Sequence, residues 1–315
     1  VDVVTVDEES VQLPGASLAV RRWSGALTPF LLVHGLASNA RTWDGVAAHL
    51  AAAGHEVVAV DQRGHGRSPE AVDGYDTPTA AADLADLVQA LGWTGPRAPV
   101  VAGQSWGANV VLHLAADHPA VARAVALVDG GWISPGRRFA TFEQCWDLLA
   151  PPLFEGLRYD DIETGLRAAH ADWPAEGVEG TLANLERTAD GGVRARLARD
   201  HHRDIVRSLW SMDAADDYPR VRVPLLAVPA GSADDVDDPD PLLRKASAVA
   251  ELLAAVPGSR ARWYPGGDHD LHCQHPAEVA ADLLDLLARA GAHPEQQPTP
   301  ESTVPDSASP ESGAR

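Results

Sequence analysis

The sequence predicts an α/β protein: a mostly parallel, twisted sheet flanked by helices and interrupted by one long helical insertion. Three observations lead there. Over most of the 315 residues, short apolar runs alternate with stretches of helical periodicity, the arrangement that places helices on the faces of a sheet. One junction between an apolar run and a helix reads Gly103-Gln104-Ser105-Trp106-Gly107. Residues 132–220 break the alternation and read as several amphipathic helices without strands, carrying Trp132, Trp146, Trp173 and Trp210.

Taken in order, Val11–Leu13 and Ser17–Trp23 read as a leading hairpin that turns at Leu13-Pro14-Gly15. Phe30–Val33 is a buried strand, Thr42–Ala53 a helix closed by Gly54, and Val57–Val60 the next strand. Thr77 is expected to cap a helix with Pro78 at its first position, running to about Leu91. Pro99–Ala102 is a strand, Trp106–Ala116 a helix and Ala124–Val128 a strand. Beyond the insertion come strand Leu225–Val228, helix Leu242–Ala255, strand Ala261–Tyr264 and helix Ala277–Ala290. The organisation expected is therefore a core of residues 1–131 and 221–293, a helical lid of residues 132–220 and a tail of residues 294–315. The tail is rich in Pro, Ser and Glu with almost nothing to bury, so disorder is expected of it.

A hydrophobic content of 45% is enough for one sizeable core with an inserted subdomain. Lys+Arg 25 against Asp+Glu 45 gives a net charge of −20, which repels phosphate and argues against nucleic acid or an anionic membrane surface as partner. A small-molecule substrate is the partner expected. Lys245 is the only lysine; beside abundant Ala and Arg it reads as a bias of genome composition and not as a device. Cys145 and Cys273 are too few for a disulfide framework and are expected as free thiols. The first residues show no basic-then-apolar signal segment, and no apolar run reaches the roughly 18 residues of a membrane span. A cytoplasmic protein is expected.

The chemistry gathers at Ser105. An apolar strand, a G-x-S-x-G turn and a helix-forming run place a serine on a sharp bend, with small residues two before and two after it relieving the crowding. The helix that follows aims its N-terminal N–H groups at the site, which favours developing negative charge.

With these residues in place the chain resembles the α/β-hydrolase superfamily over roughly residues 10 to 290. Leu31-Leu32-Val33-His34-Gly35-Leu36 is similar to the segment that supplies half of the family's oxyanion hole, which implies that the backbone N–H groups of Leu36 and Trp106 bind the oxyanion. Asp61-Gln62-Arg63-Gly64-His65-Gly66-Arg67-Ser68 is similar to the family's D-x-R-G-x-G-x-S loop, a structural element held by Asp61 and Arg63, so His65 is not expected to be catalytic. His269 lies between the last strand and the last helix, with Pro276 opening that helix, and matches the family's catalytic histidine, although Asp268 replaces the usual glycine. A metal reading of His269, His272, Cys273 and His275 fits no zinc spacing, and His272 and His275 are expected to pack or face solvent.

Two aspartates compete as the third catalytic group. Asp234, in the loop after Leu225–Val228, occupies the common position, but in a run so rich in aspartate that one more is unremarkable. Asp129 directly follows Ala124–Val128, where some members of the family, haloalkane dehalogenases among them, carry their acid. A carboxylate emerging from an apolar strand must be paired, and an imidazolium is the obvious partner. Asp129 is preferred. The resemblance implies hydrolysis of a carboxylic ester or lactone through an acyl-Ser105 intermediate, without cofactor or metal. Thioesterase, amidase, carbon–carbon bond hydrolase and cofactor-free haloperoxidase activities use the same constellation, and a binding protein that keeps the fold without turnover is the reading from another class.

Overall fold

The computed structural model describes residues 5–232 and 245–291. Its centre is an eight-stranded sheet. In chain order the strands are β1 (Val6–Gln12), β2 (Ser17–Trp23), β3 (Leu27–Val33), β4 (His55–Val60), β5 (Val100–Gln104), β6 (Ala124–Val128), then β9 (Leu225–Val228) and β10 (Arg260–Ala261) after the insertion. They lie side by side as β1-β2-β4-β3-β5-β6-β9-β10. Only β1 and β2 run antiparallel to their neighbours; β3 to β6, β9 and β10 are parallel. Strands covered on both faces read as unbroken apolar runs, which is why β5, β6 and β9 are legible in the sequence.

Alternate side chains of each strand feed two cores. Leu31, Val33, Val101, Val125 and Leu127 pack on one face beneath helices α2 (Thr77–Ala90), α3 (Trp106–Asp117) and α8 (Lys245–Ala255). Phe30, Leu32, Val100, Ala102 and Ala126 pack on the other beneath α1 (Asp44–Ala52) and α10 (Pro276–Gly291). The chain leaves β3 to lay β4 on one side and returns to lay β5 on the other, so the order reverses between β3 and β5. Open parallel sheets leave a crevice at the carboxyl ends of such strands.

The segment between β6 and β9 holds α4 (Phe142–Leu149), α5 (Tyr159–Ala169), α6 (Ala175–Leu182) and α7 (Arg199–Ser211). It is not purely helical as expected: β7 (Leu185–Arg187) and β8 (Val193–Ala195) form a short antiparallel hairpin. Strands of three residues are too short for an alternation to be read, though Asp190-Gly191-Gly192 is a turn signal that could have marked the hairpin. Side-chain hydrogen bonds moor the segment to the sheet-bearing part. Thr77 N donates to Ser208 Oγ (2.9 Å), and Asn39 Nδ2 donates to Gly180 O (2.9 Å) and Asn184 Oδ1 (2.5 Å). Trp132 joins the main core, Trp173 a cluster with Val178 and Leu182, and Trp146 and Trp210 a cluster with Phe142 and Val206.

Two local expectations are corrected. Asp76, not Thr77, caps α2, accepting from Thr79 N (2.8 Å), while the Thr77 hydroxyl accepts from Trp106 Nε1 (3.1 Å). The strand expected at Ala261–Tyr264 is only the two residues of β10 plus a single bridge from Tyr264 to Ala230. It sits at the sheet's edge, where only one neighbour pairs with it. Cys145 and Cys273 are free and buried. Among the described residues no helix is long and apolar enough to cross a membrane, and no three His, Cys, Asp or Glu side chains converge as a metal site. The expected tail lies outside the described residues, as does Asp234 with the acidic loop around it.

Candidate active site

Ser105 follows β5 and precedes α3 with φ 54° and ψ −124°, a conformation an L-residue adopts only when its surroundings force it. The forcing is local. A side chain on Gly103 would overlap the Gly107 carbonyl, and one on Gly107 would overlap the His34 carbonyl, so only glycine lets the strand, the turn and the neighbouring loop close up. The Ser105 N–H is donated to Val128 O (2.9 Å), which ties the bend to the end of β6.

Three residues beyond β3 stands Leu36, on a loop braced by the Asp61–Ser68 segment. Gln62 N donates to His34 Nε2 (3.0 Å) and Gln62 Nε2 to His34 O (2.7 Å). Asp61 Oδ1 accepts from Ala40 N (2.7 Å) and its Oδ2 from Arg67 N (2.8 Å). Ala37, at φ 57°, donates its N–H to His65 Nε2 (3.2 Å), while His65 Nδ1 reaches Arg63 O (3.0 Å). Both nitrogens of His65 are thus spent on backbone, and burial holds its ring, like that of His34 (down to about 4), in the neutral form. Arg63 grips Asp83 through two bonds (2.9 and 3.1 Å). These contacts fix where Leu36 stands relative to Ser105. The N–H of Trp106 is the first of α3 and has no acceptor within its own helix.

His269 and Asp129 meet across 140 residues of chain: His269 Nδ1 donates to Asp129 Oδ2 at 2.6 Å. Asp129 sits directly after β6 at φ 44°, a left-handed conformation that aspartate tolerates, with its carboxylate buried (1% exposed). Its Oδ1 also accepts from Ala230 N (2.9 Å). Lys245 Nζ stands 2.8 Å from Oδ1 and 3.1 Å from Oδ2 and donates to Ala230 O (3.0 Å). Burial pushes the Asp129 carboxyl up, but His269 and Lys245 outweigh it and hold the group below the usual carboxylate range. For His269, desolvation disfavours the imidazolium, yet the hydrogen bond and charge of Asp129, joined by Asp270, keep it above the ordinary histidine value; Lys245 acts the other way. Gln104 Nε2 donates to His269 O (3.2 Å), holding the histidine's loop beside the serine's strand. Among the described residues His269 Nε2 has no hydrogen-bond partner.

Ser105, His269 and Asp129 open on one cavity of about 490 Å³, whose wall includes Leu36 and Trp106. The rest is largely apolar: Ile133, Pro135, Leu149 and Leu209 come from the inserted segment, and Ala230, Ala246 and Trp263 from the sheet-bearing part. The structure therefore brings together Ser105, His269, Asp129, Leu36 and Trp106, all foreseen from the sequence. His272 and His275 point elsewhere. His272 is wholly buried against Trp43, with its ring held neutral by burial (down to about 3), and His275 packs beside Tyr264. Lys245 was missed as a site residue. Its singularity is visible in the sequence and reads there as composition alone, whereas its ammonium is seated on the Asp129 carboxylate.

The sequence profile of the alpha/beta hydrolase fold matches residues 28–170. A putative carbamate hydrolase of Variovorax paradoxus is 32% identical, the alignment covering 83% of this chain and 92% of that protein. A non-heme haloperoxidase of Rhodococcus erythropolis is 27% identical over 87% of this chain and 96% of its own length. Among solved structures, an E-2-(acetamidomethylene)succinate hydrolase superposes with a TM-score of 0.72 at 24% identity, covering 90% of this chain and all of that one. With its parallel sheet, its serine elbow after β5 and relatives matched over nearly their full lengths, the chain belongs to the alpha/beta hydrolase fold family.

Proposed function

We propose that the protein is a serine hydrolase that cleaves a carboxylic ester or lactone through an acyl-Ser105 intermediate. The observation that carries this reading is the His269–Asp129 hydrogen bond of 2.6 Å opening on the same cavity as a serine held on a strained turn. His269 Nε2 takes the Ser105 proton as Oγ attacks the substrate carbonyl, and the N–H groups of Leu36 and Trp106 receive the oxyanion. The imidazolium, steadied by Asp129, then protonates the leaving group, and water repeats the sequence to free Ser105. No cofactor or metal is required. Residues 132–220 act as a lid: four of its apolar side chains wall the cavity, which favours a substrate with an apolar acyl or ring portion.

A serine nucleophile bears on bond type as well, since an alkyl–enzyme mechanism needs a carboxylate at this position. A second reading, cleavage of an amide-like or carbamate bond by the same acyl transfer, is favoured by the relative named a carbamate hydrolase. A fluorophosphonate probe tests the shared chemistry: Ser105 is expected to be labelled, and labelling to vanish in Ser105→Ala. An unlabelled, folded wild-type protein would mean a binding protein rather than an enzyme. A panel of esters, lactones, thioesters and carbamates of graded chain length then separates the two readings by kcat/KM.

A further inference from the structure

The only lysine in the chain is placed on the catalytic carboxylate. Lys245, at the start of α8, directs its ammonium to both oxygens of Asp129 and to Ala230 O, the carbonyl of the residue whose N–H also binds Asp129. Its side chain is only 13% exposed and lines the cavity that Ser105 opens on. Nothing in serine-hydrolase chemistry requires a cation there; a carboxylate alone would stabilise an imidazolium better.

We propose that Lys245 is a positioning residue that balances the charge of the Asp129–His269 pair, keeping Asp129 ionised and in place while limiting how firmly the pair holds a proton on His269. This rests on the assignment of Asp129 and His269 as the catalytic pair. In the resting site Asp129 is negative, Lys245 positive and His269 neutral, so a buried carboxylate is compensated before any proton has moved. When His269 takes the Ser105 proton, the three groups carry one net positive charge against the one negative charge of the oxyanion. The ammonium opposes that proton, so His269 stays available as a base at lower pH and releases the proton more readily to the leaving group. In a largely apolar cavity such a charge is poorly screened.

Among the described residues no other cation acts on His269. Among the described residues His269 feels Asp129 from the end of β6, Asp270 from its own loop and Lys245 from α8, and it acts in turn on His272 of the short helix α9 (Leu271–Gln274), which His34 also influences; Asp268 and His170 of the inserted segment act on Asp270. Asp129 and Asp270 favour the proton on His269, and Lys245 opposes it. His34 and His272 are buried and neutral.

The test is the pH profile of kcat/KM on an activated ester for wild type, Lys245→Met, Lys245→Gln, Lys245→Arg and Asp129→Asn. Both neutral variants are expected to move the acid limb to higher pH by about one unit, as for a charge removed within a few ångströms of a histidine. The arginine variant is expected to keep it at the wild-type position. An acid limb that stays put in a folded neutral variant, or moves as far in the arginine variant, overturns the proposal and leaves Lys245 a merely structural residue. Should the neutral variants fail to fold, acetylating the folded wild-type protein removes the same charge, since no other lysine competes; a single modification at Lys245 by peptide mass with an unmoved limb is equally fatal. Near-normal turnover in Asp129→Asn would instead sink the catalytic pair itself, whatever Lys245 does.

Discussion

Among the described residues two histidine–aspartate–cation clusters stand out, and one of them faces a cavity that also holds a serine. In the first, His269 Nδ1 meets Asp129 (2.6 Å), which is shared with Lys245. In the second, His113 of α3 meets Asp217 through Nδ1 (3.0 Å), and Asp217 is shared with Arg220. Both histidines are held above the ordinary value, His113 chiefly by its hydrogen bond to Asp217 against the opposing effect of burial. They differ at the other ring nitrogen. His113 Nε2 is occupied by Asp117 (3.3 Å) and its ring is buried, whereas the ring of His269 is half exposed at a cavity that also holds Ser105. The charge arrangement is common to both clusters; of the two, His269 is the one whose second ring nitrogen has no partner among the described residues and whose cavity includes a serine on a strained turn.

Substitutions of the two aspartates should break this comparison most sharply. Asp129→Asn is expected to lower kcat by roughly 10³- to 10⁴-fold, because the amide can hold the ring but cannot steady the imidazolium. Steady-state rates on an activated ester measure it, and a loss below tenfold would contradict the assignment. Asp217→Asn should leave kcat where it is and instead cost about 1–2 kcal/mol of stability, the price of one buried charge-assisted hydrogen bond, read by urea denaturation.

The pH dependences separate the clusters further. Since His269 is raised and must be neutral to act, kcat/KM should fall as pH drops through a value above the ordinary histidine pKa of about 6.5, where the neutral ring is lost to protonation. His113, also raised, contributes to folding instead. Its stabilisation is fully present below the unfolded value and disappears as pH rises through the folded one, so the stability gap between wild type and Asp217→Asn should shrink on the alkaline side.

The buried neutral rings add a pH dependence of their own. His34 and His272 are depressed to about 4 and about 3, so between pH 6.5 and those values the unfolded chain binds protons that the folded one refuses. Stability should therefore decline with falling pH in that window, by up to about 1.4 kcal/mol per unit for each ring. His34→Gln should flatten the slope in thermal melts from pH 6.5 to 4.5, and an unaltered slope would refute the account.

Much of the site was legible because its signals are local. The elbow needs glycine at two positions of a five-residue turn, and a strand buried on both faces must be apolar throughout, so Ser105 could be placed from a short window, while Leu36 and Trp106 were implied by the family resemblance. His269 followed from its place between the last strand and the last helix. Other features had no local signature. Asp76 and Thr77 are adjacent residues of equal capping ability, and the choice fell to Asp76 because the Thr77 hydroxyl is engaged with Trp106. The strands of the β7–β8 hairpin are three residues each and bury only Val193 well. The pairing of Lys245 with Asp129 spans 116 residues, which no periodicity reports.

The sequence by itself determined the parallel sheet, the serine elbow and the set of side chains from which a catalytic site could be drawn, since steric fit in a tight turn and burial in a strand are set by neighbours along the chain. Only the tertiary structure showed that His269 meets Asp129, which backbone groups occupy His65 and what buries His272, and that the single lysine lies on the Asp129 carboxylate. Those outcomes depend on distances between the ends of different strands, and such distances exist only once the sheet has brought the strands side by side.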